Sequence, residues 1–168
     1  MSSIRNPEKV TILATGGTID KFYSVAGTLD IGAPAAQDLL DRVITDIKFE
    51  IRPLIGKDSL DMTDADRAEL ATALNAVRGE QVIITHGTDT MSETARYLAE
   101  HADVRQKTVV LTGAMHPAVM ARSDAGFNLG AALSAVNLLP PGVYISMSGR
   151  IFPAASVRKD RARGIFEG

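Results

Sequence analysis

The sequence predicts an α/β fold: a doubly wound, mostly parallel sheet with helices on both faces, in a single domain over residues 1–168. Three observations predict it. Short apolar runs rich in β-branched residues recur along the chain, as at residues 10–14, 82–84 and 108–111. Each is followed, after a glycine or a polar knot, by a segment with helical spacing. The connections are too long for hairpins and suit right-handed crossovers between parallel strands.

Residues 9–15, KVTILAT, read as the first buried strand, ended by Gly16-Gly17. Paired glycines after a strand permit positive φ and a close backbone approach to a ligand. The pattern is neither the G-x-G-x-x-G of a dinucleotide site nor a Walker loop, which needs a following Gly-Lys-Ser/Thr. Residues 20–33 lack a helical period and read as a mobile loop or hairpin of the kind that forms active-site lids. Pro34 opens a helix expected to run to Ile44, with Leu39, Leu40, Val43 and Ile44 on one face. Residues 46–52 alternate Ile47, Phe49 and Ile51 against charged neighbours, a strand with one wet face near an edge. Residues 53–62 read as a polar loop, and Thr63 starts a helix to about Val77 with Asp64 and Asp66 in its first turn.

The stretch from 81 to 101, QVIITHGTDTMSETARYLAEH, organises the rest. A buried strand gives way at His86-Gly87 to Thr88-Asp89-Thr90, and a helix starts at once. The T-x-x-E spacing of Thr90 and Glu93 predicts a capping box. A hydroxyl and a carboxylate therefore stand where a strand ends and a helix begins, which in an open α/β sheet is where ligands bind. A strand at 107–112, a small-residue helix at 126–136 and a strand at 142–147 follow. The tail from Ser148 is basic and weakly patterned. The whole is of the Rossmann-like or flavodoxin-like type.

Composition excludes several functions. With no cysteine, thiol catalysis and disulfides are ruled out, and a reducing compartment fits. A net charge of −2 gives no reason to expect nucleic acid. The absence of any long apolar run, and of a signal-peptide core in MSSIRNPEKV, predicts a soluble cytoplasmic protein without a membrane partner. His86 and His116 invite a metal reading, yet no close cluster of His, Asp and Glu surrounds them, so neither a metal nor another cofactor is expected. A serine hydrolase elbow, G-x-S-x-G, is missing.

Thr15 and Thr88-Asp89 occupy equivalent places, just past a buried strand and beside glycine, so both threonines can face one crevice. A threonine hydroxyl needs a base, and a carboxylate by itself is a weak one near neutral pH. A desolvated lysine oriented by a carboxylate can serve. Spacing does not choose among Lys9, Lys21, Lys48, Lys57, Lys107 and Lys159.

Four motifs in order, TGGTID at 15–20, DSLDM at 58–62, THGTDTMSETA at 85–95 and TGAMHPAVMARSDAGFNL at 112–129, resemble the bacterial L-asparaginase/glutaminase family. The likeness runs from about Val10 to Lys159. It implies hydrolysis of L-asparagine to L-aspartate and ammonia, with Thr15 as the acylated nucleophile and Thr88, Asp89 and Lys159 as the proton-handling group. It also implies Tyr23 as the lid tyrosine that helps activate Thr15. Ser59 matches the serine that holds the substrate α-carboxylate, and Asp89 the carboxylate that takes its α-amino group. Asp58 and Gly87 fall in the same substrate-binding motifs. Leu60 departs from the family, which often has a polar residue beside this serine, so glutamine is the rival substrate. An amidotransferase subunit and an inactive asparagine-binding module are further alternatives. Family members usually carry a second domain of similar size, outside this resemblance. Surface left uncovered without it predicts a homo-oligomer.

Overall fold

The computed structural model describes residues 6–168. Its ten strands are β1 Lys9–Gly16, β2 Lys21–Tyr23, β3 Leu29–Ile31, β4 Lys48–Lys57, β5 Gln81–Thr85, β6 Thr108–Thr112, β7 Gly142–Met147, β8 Arg150–Pro153, β9 Arg158–Asp160 and β10 Ile165–Glu167. The helices are α1 Ala35–Leu40, α2 Asp64–Ala76, α3 Met91–His101 and α4 Ala125–Leu138. Six strands form the main sheet in the order β4-β1-β5-β6-β7-β8. All its pairings are parallel except that of β7 with β8. Setting the β2–β3 hairpin aside, the parallel strands follow the flavodoxin order 2-1-3-4-5. The chain reverses direction across the sheet between β1 and β5, and the crevice outside their carboxyl ends is the switch point.

Strand alternation builds the two cores. Leu13, Ile84, Leu111 and Ile145 point to one face, against Leu70 and Leu74 of α2 and Met91, Ala95 and Leu98 of α3. Their neighbours Ile12, Ile83 and Val110 point to the other, against Ala36 and Leu40 of α1 and Leu129, Ala132 and Val136 of α4. Continuous apolar runs thus become central strands because both faces are covered.

Several local expectations are corrected. Helix α1 ends at Leu40, and Val43 and Ile44 lie exposed. The Val-Ile-Thr run has modest helix propensity, and the Thr45 hydroxyl accepts the Ile47 N–H to start a turn instead. Strand β4 does not stop at Arg52 but continues through Pro53 to Lys57. Proline is tolerated there because β4 is the sheet edge. The capping box lies at Thr63 and Asp66, where each side chain meets the other's backbone N–H. The Thr63 N–H, followed by the Lys57 ammonium, holds the Asp66 carboxyl down to about 2. At α3 the predicted box does not form: Thr90 donates to the Ser59 carbonyl at 2.7 Å, and Glu93 accepts from the Ser92 hydroxyl at 3.1 Å. The tail is also ordered into strand. Ser148-Gly149 turns β8 back on β7, and β9 pairs with β10. Residues 20–33 form the β2–β3 hairpin.

Candidate active site

Strand β1 ends in Thr15, which is 1% exposed and donates its hydroxyl proton to the Thr85 carbonyl at 2.9 Å. Gly16-Gly17 then leaves the sheet. Gly17 has φ 83°, and a Cβ there would lie 2.4 Å from the Gly87 backbone. The turn after β1 and the turn after β5 are therefore in backbone contact, which only glycine permits. This contact holds the strand-end turns that carry Thr15 and Thr88 side by side.

Ser59 opens a short 3-10 turn at Ser59–Asp61, directly after β4. Its buried hydroxyl accepts the Asp89 N–H at 3.2 Å, so the strand-end loops of β4 and β5 are tied together. A Cβ on Gly87 would sit 2.6 Å from the Ser59 Oγ, so glycine keeps this approach open. From the far side comes β9. Lys159 Nζ donates to Thr88 Oγ1 at 2.8 Å and to Asp89 Oδ1 at 2.7 Å. Its side chain is 7% exposed, that of Asp89 about a third. Of the six candidate lysines the structure brings this one to Thr88-Asp89, while Lys21 goes to Asp58 and Lys57 to Asp66.

A buried amine set between a hydroxyl and a carboxylate can pass protons. The start of α3 beside it adds oriented N–H groups that favour an anion. The amino-terminal domain model of one family, "Asparaginase, N-terminal", matches residues 9–165, a span that contains Thr15, Ser59, Thr88, Asp89 and Lys159.

The chain belongs to the asparaginase family.

It is 38% identical over 162 residues to "Probable L-asparaginase periplasmic" of Haemophilus influenzae, covering 89% of this chain and 46% of that one. The solved structure titled "The thermostable L-asparaginase from Thermococcus kodakarensis" superposes with a TM-score of 0.86 at 30% identity, covering 95% of this chain and 50% of the other. L-asparaginase I from Vibrio cholerae gives 0.82 at 29%, with 95% and 50% covered. The chain spans about half the length of the curated relatives it matches.

One predicted site residue of this asparaginase-family chain lies apart from the others. Tyr23 is 73% exposed on the hairpin, with its hydroxyl beside Gly27 at the hairpin's own turn and no hydrogen bond to Thr15. The Asp58 carboxylate bonds Lys21 at 2.6 Å and accepts the Leu60 N–H at 3.3 Å, at the start of the Ser59 turn. The Lys21 ammonium holds it below the ordinary aspartate range. His86 is fully buried, and burial pushes its imidazole down to about 4. His116 lies on the surface beside Asp124. Among the described residues no cluster of three His, Asp or Glu side chains could hold a metal, and no helix is long and apolar enough to cross a membrane.

Sequence reasoning missed the groups that hold the site in place. Thr90 anchors the Ser59 loop, Arg96 donates to the Val157 carbonyl at 2.8 Å, and Arg161 donates to the Asp89 carbonyl at 3.3 Å. All three act on backbone carbonyls, which leave no pattern in side-chain spacing.

Proposed function

We propose that this chain is an amidohydrolase that converts L-asparagine to L-aspartate and ammonia, with residues 1–168 acting as one catalytic domain. The observation that carries the reading is the Thr88–Asp89–Lys159 group just past the end of β5, the strand paired with the one that ends in Thr15. The Thr15 hydroxyl leaves the Thr85 carbonyl, turns into the crevice and attacks the side-chain amide carbon. Its proton passes to the Lys159 amine through the Thr88 hydroxyl and is delivered to the departing ammonia as the C–N bond breaks. Backbone N–H groups at the strand ends, that of Thr88 included, face the developing oxyanion. Water, deprotonated by the same group, then cleaves the Thr15 ester and restores the hydroxyl.

Substrate orientation follows from valences left open. Ser59 Oγ accepts from Asp89 N and keeps its own proton for the α-carboxylate. Asp89 gives one oxygen to Lys159 and keeps the other for the α-ammonium. Tyr23 joins the site if the β2–β3 hairpin folds inward. No cofactor takes part. Exposed apolar side chains such as Val119, Phe127 and Ile151 support self-association into a homo-oligomer, which light scattering tests.

Glutamine is the second reading, supported by Leu60. It stands 62% exposed beside Ser59 and offers no polar contact to fix the shorter substrate. Ammonia release with asparagine and glutamine in parallel separates the two by kcat/KM. Stabilisation by aspartate with no ammonia from either substrate would replace both with a binding module.

A further inference from the structure

Strand β9 is only three residues long, and among the described residues its sheet partner is β10 alone. A two-stranded hairpin is marginal in water, so its placement depends on ties to the rest of the molecule. Lys159 pairs with Phe166 at the middle of this hairpin. A slip of one residue would turn the lysine to the opposite face, away from Thr88. Two arginines bracket it. Arg96 Nη1 donates to the Val157 carbonyl at 2.8 Å, two residues before Lys159, and Arg161 Nη2 donates to the Asp89 carbonyl at 3.3 Å, two residues after. Arg161 is exposed, whereas Arg96 is partly buried on α3 and Val157 is fully buried. The stronger tie is the one from Arg96.

The placement of Arg96 matters as much as the bond. Thr88 and Asp89 lie immediately before α3, and Arg96 sits on α3 itself, seven residues beyond Asp89. One rigid rod therefore fixes both halves of the relay: its start presents the hydroxyl and carboxylate, and its second turn sets the register of the strand that brings the amine. We propose that Arg96 is a positioning residue for Lys159, holding the amine on Thr88 and Asp89 through the Val157 carbonyl. The inference rests on the amidohydrolase reading for its catalytic consequence, but the placement of the lysine can be measured without turnover.

The test is acetylation of the full chain with an amine-specific reagent, followed residue by residue in a mass spectrometer, for wild type, Arg96→Met and Arg96→Lys. In wild type Lys159 reacts slowly relative to exposed Lys48. Arg96→Met raises its rate by roughly tenfold or more, because the buried pair now opens locally. Arg96→Lys, which keeps a cationic donor, restores most of the protection. Lys21 and Lys57, paired elsewhere, keep their rates. In parallel, Arg96→Met lowers kcat more than it changes KM, and it has no further effect on kcat in a Lys159→Met background. An unchanged Lys159 rate in Arg96→Met overturns the proposal, as does an equal rise at Lys21 and Lys57, which would mean general loosening. A kcat loss that persists without Lys159 overturns it as well. If wild type releases no ammonia, the amidohydrolase reading falls, and the labelling rates still decide whether Arg96 places Lys159.

Discussion

Replacing Asp20 by Asn should stabilise the protein in a strongly pH-dependent way. Asp20 is 5% exposed, and its Oδ1 accepts the Ala35 N–H at 2.8 Å at the start of α1. Two effects compete. Burial disfavours the carboxylate, and the backbone N–H favours it; burial is the larger, and the carboxyl is pushed up to about 6 from an ordinary 3.8. Helix α1 has only six residues, so its dipole adds little on the side of the charge. With the folded value raised, the folded protein binds more protons than the unfolded chain between pH 3.8 and 6, so stability from this group falls as pH rises through that window. Once ionised it costs about 3 kcal/mol at 1.36 kcal/mol per pH unit. Asparagine keeps an oxygen for the Ala35 N–H and carries no charge. Urea unfolding of both proteins from pH 3.5 to 8 should show the variant gaining on wild type with rising pH, by up to about 3 kcal/mol, with a plateau above pH 7. The carboxylates held low by their partners, such as Asp58 and Asp66, lose stability toward acid in both proteins and cancel in the difference. A difference that stays flat with pH would mean that Asp20 is solvated. A difference that falls with pH would mean that the N–H outweighs burial.

The site makes three further predictions. Thr15→Ala should abolish ammonia release while losing only about 1 kcal/mol of stability, the worth of its bond to the Thr85 carbonyl, and calorimetry should still detect aspartate binding. Lys159→Met should lower kcat by roughly 10²-fold or more, whereas Arg158→Met, which removes a surface pair with Glu167, should change it little; equal mild effects would send the search for the base elsewhere. Gly17→Ala puts a Cβ 2.4 Å from the Gly87 backbone at a positive φ, and thermal unfolding should reveal a loss of about 3 kcal/mol or more.

Much of the fold could be read from the chain because the central strands are covered on both faces, and double burial leaves uninterrupted apolar runs such as Val82-Ile83-Ile84. Elements at the margins were harder. Pro53 reads as a strand breaker unless the strand is known to lie at an edge, and Val43-Ile44 read as a helix face although both lie exposed. Thr90 has the spacing of a cap, yet tertiary structure gives its hydroxyl a better partner in the Ser59 carbonyl. For the site, the strand-end positions of Thr15 and Thr88 follow from glycine placement alone. That Lys159 meets Thr88 and Asp89 does not, since a contact across 70 residues has no local signature; family likeness supplied it. The Asp58–Lys21 pair also eluded sequence reasoning, because charge complementarity between two loops leaves many equivalent choices.

The span between Asp89 and Lys159 has a consequence for how the protein is made. Strands β1, β4 and β5, with both threonines and Ser59, emerge from the ribosome well before β9 does. The residues of the strand-end turns are therefore all synthesised before the lysine that reaches them. The contact of Lys159 with Thr88 and Asp89 is among the most non-local in the molecule and is expected to form late in folding. Reactivity would then switch on only after the hairpin docks, and the onset of turnover during refolding would report closure of the whole domain rather than formation of its sheet.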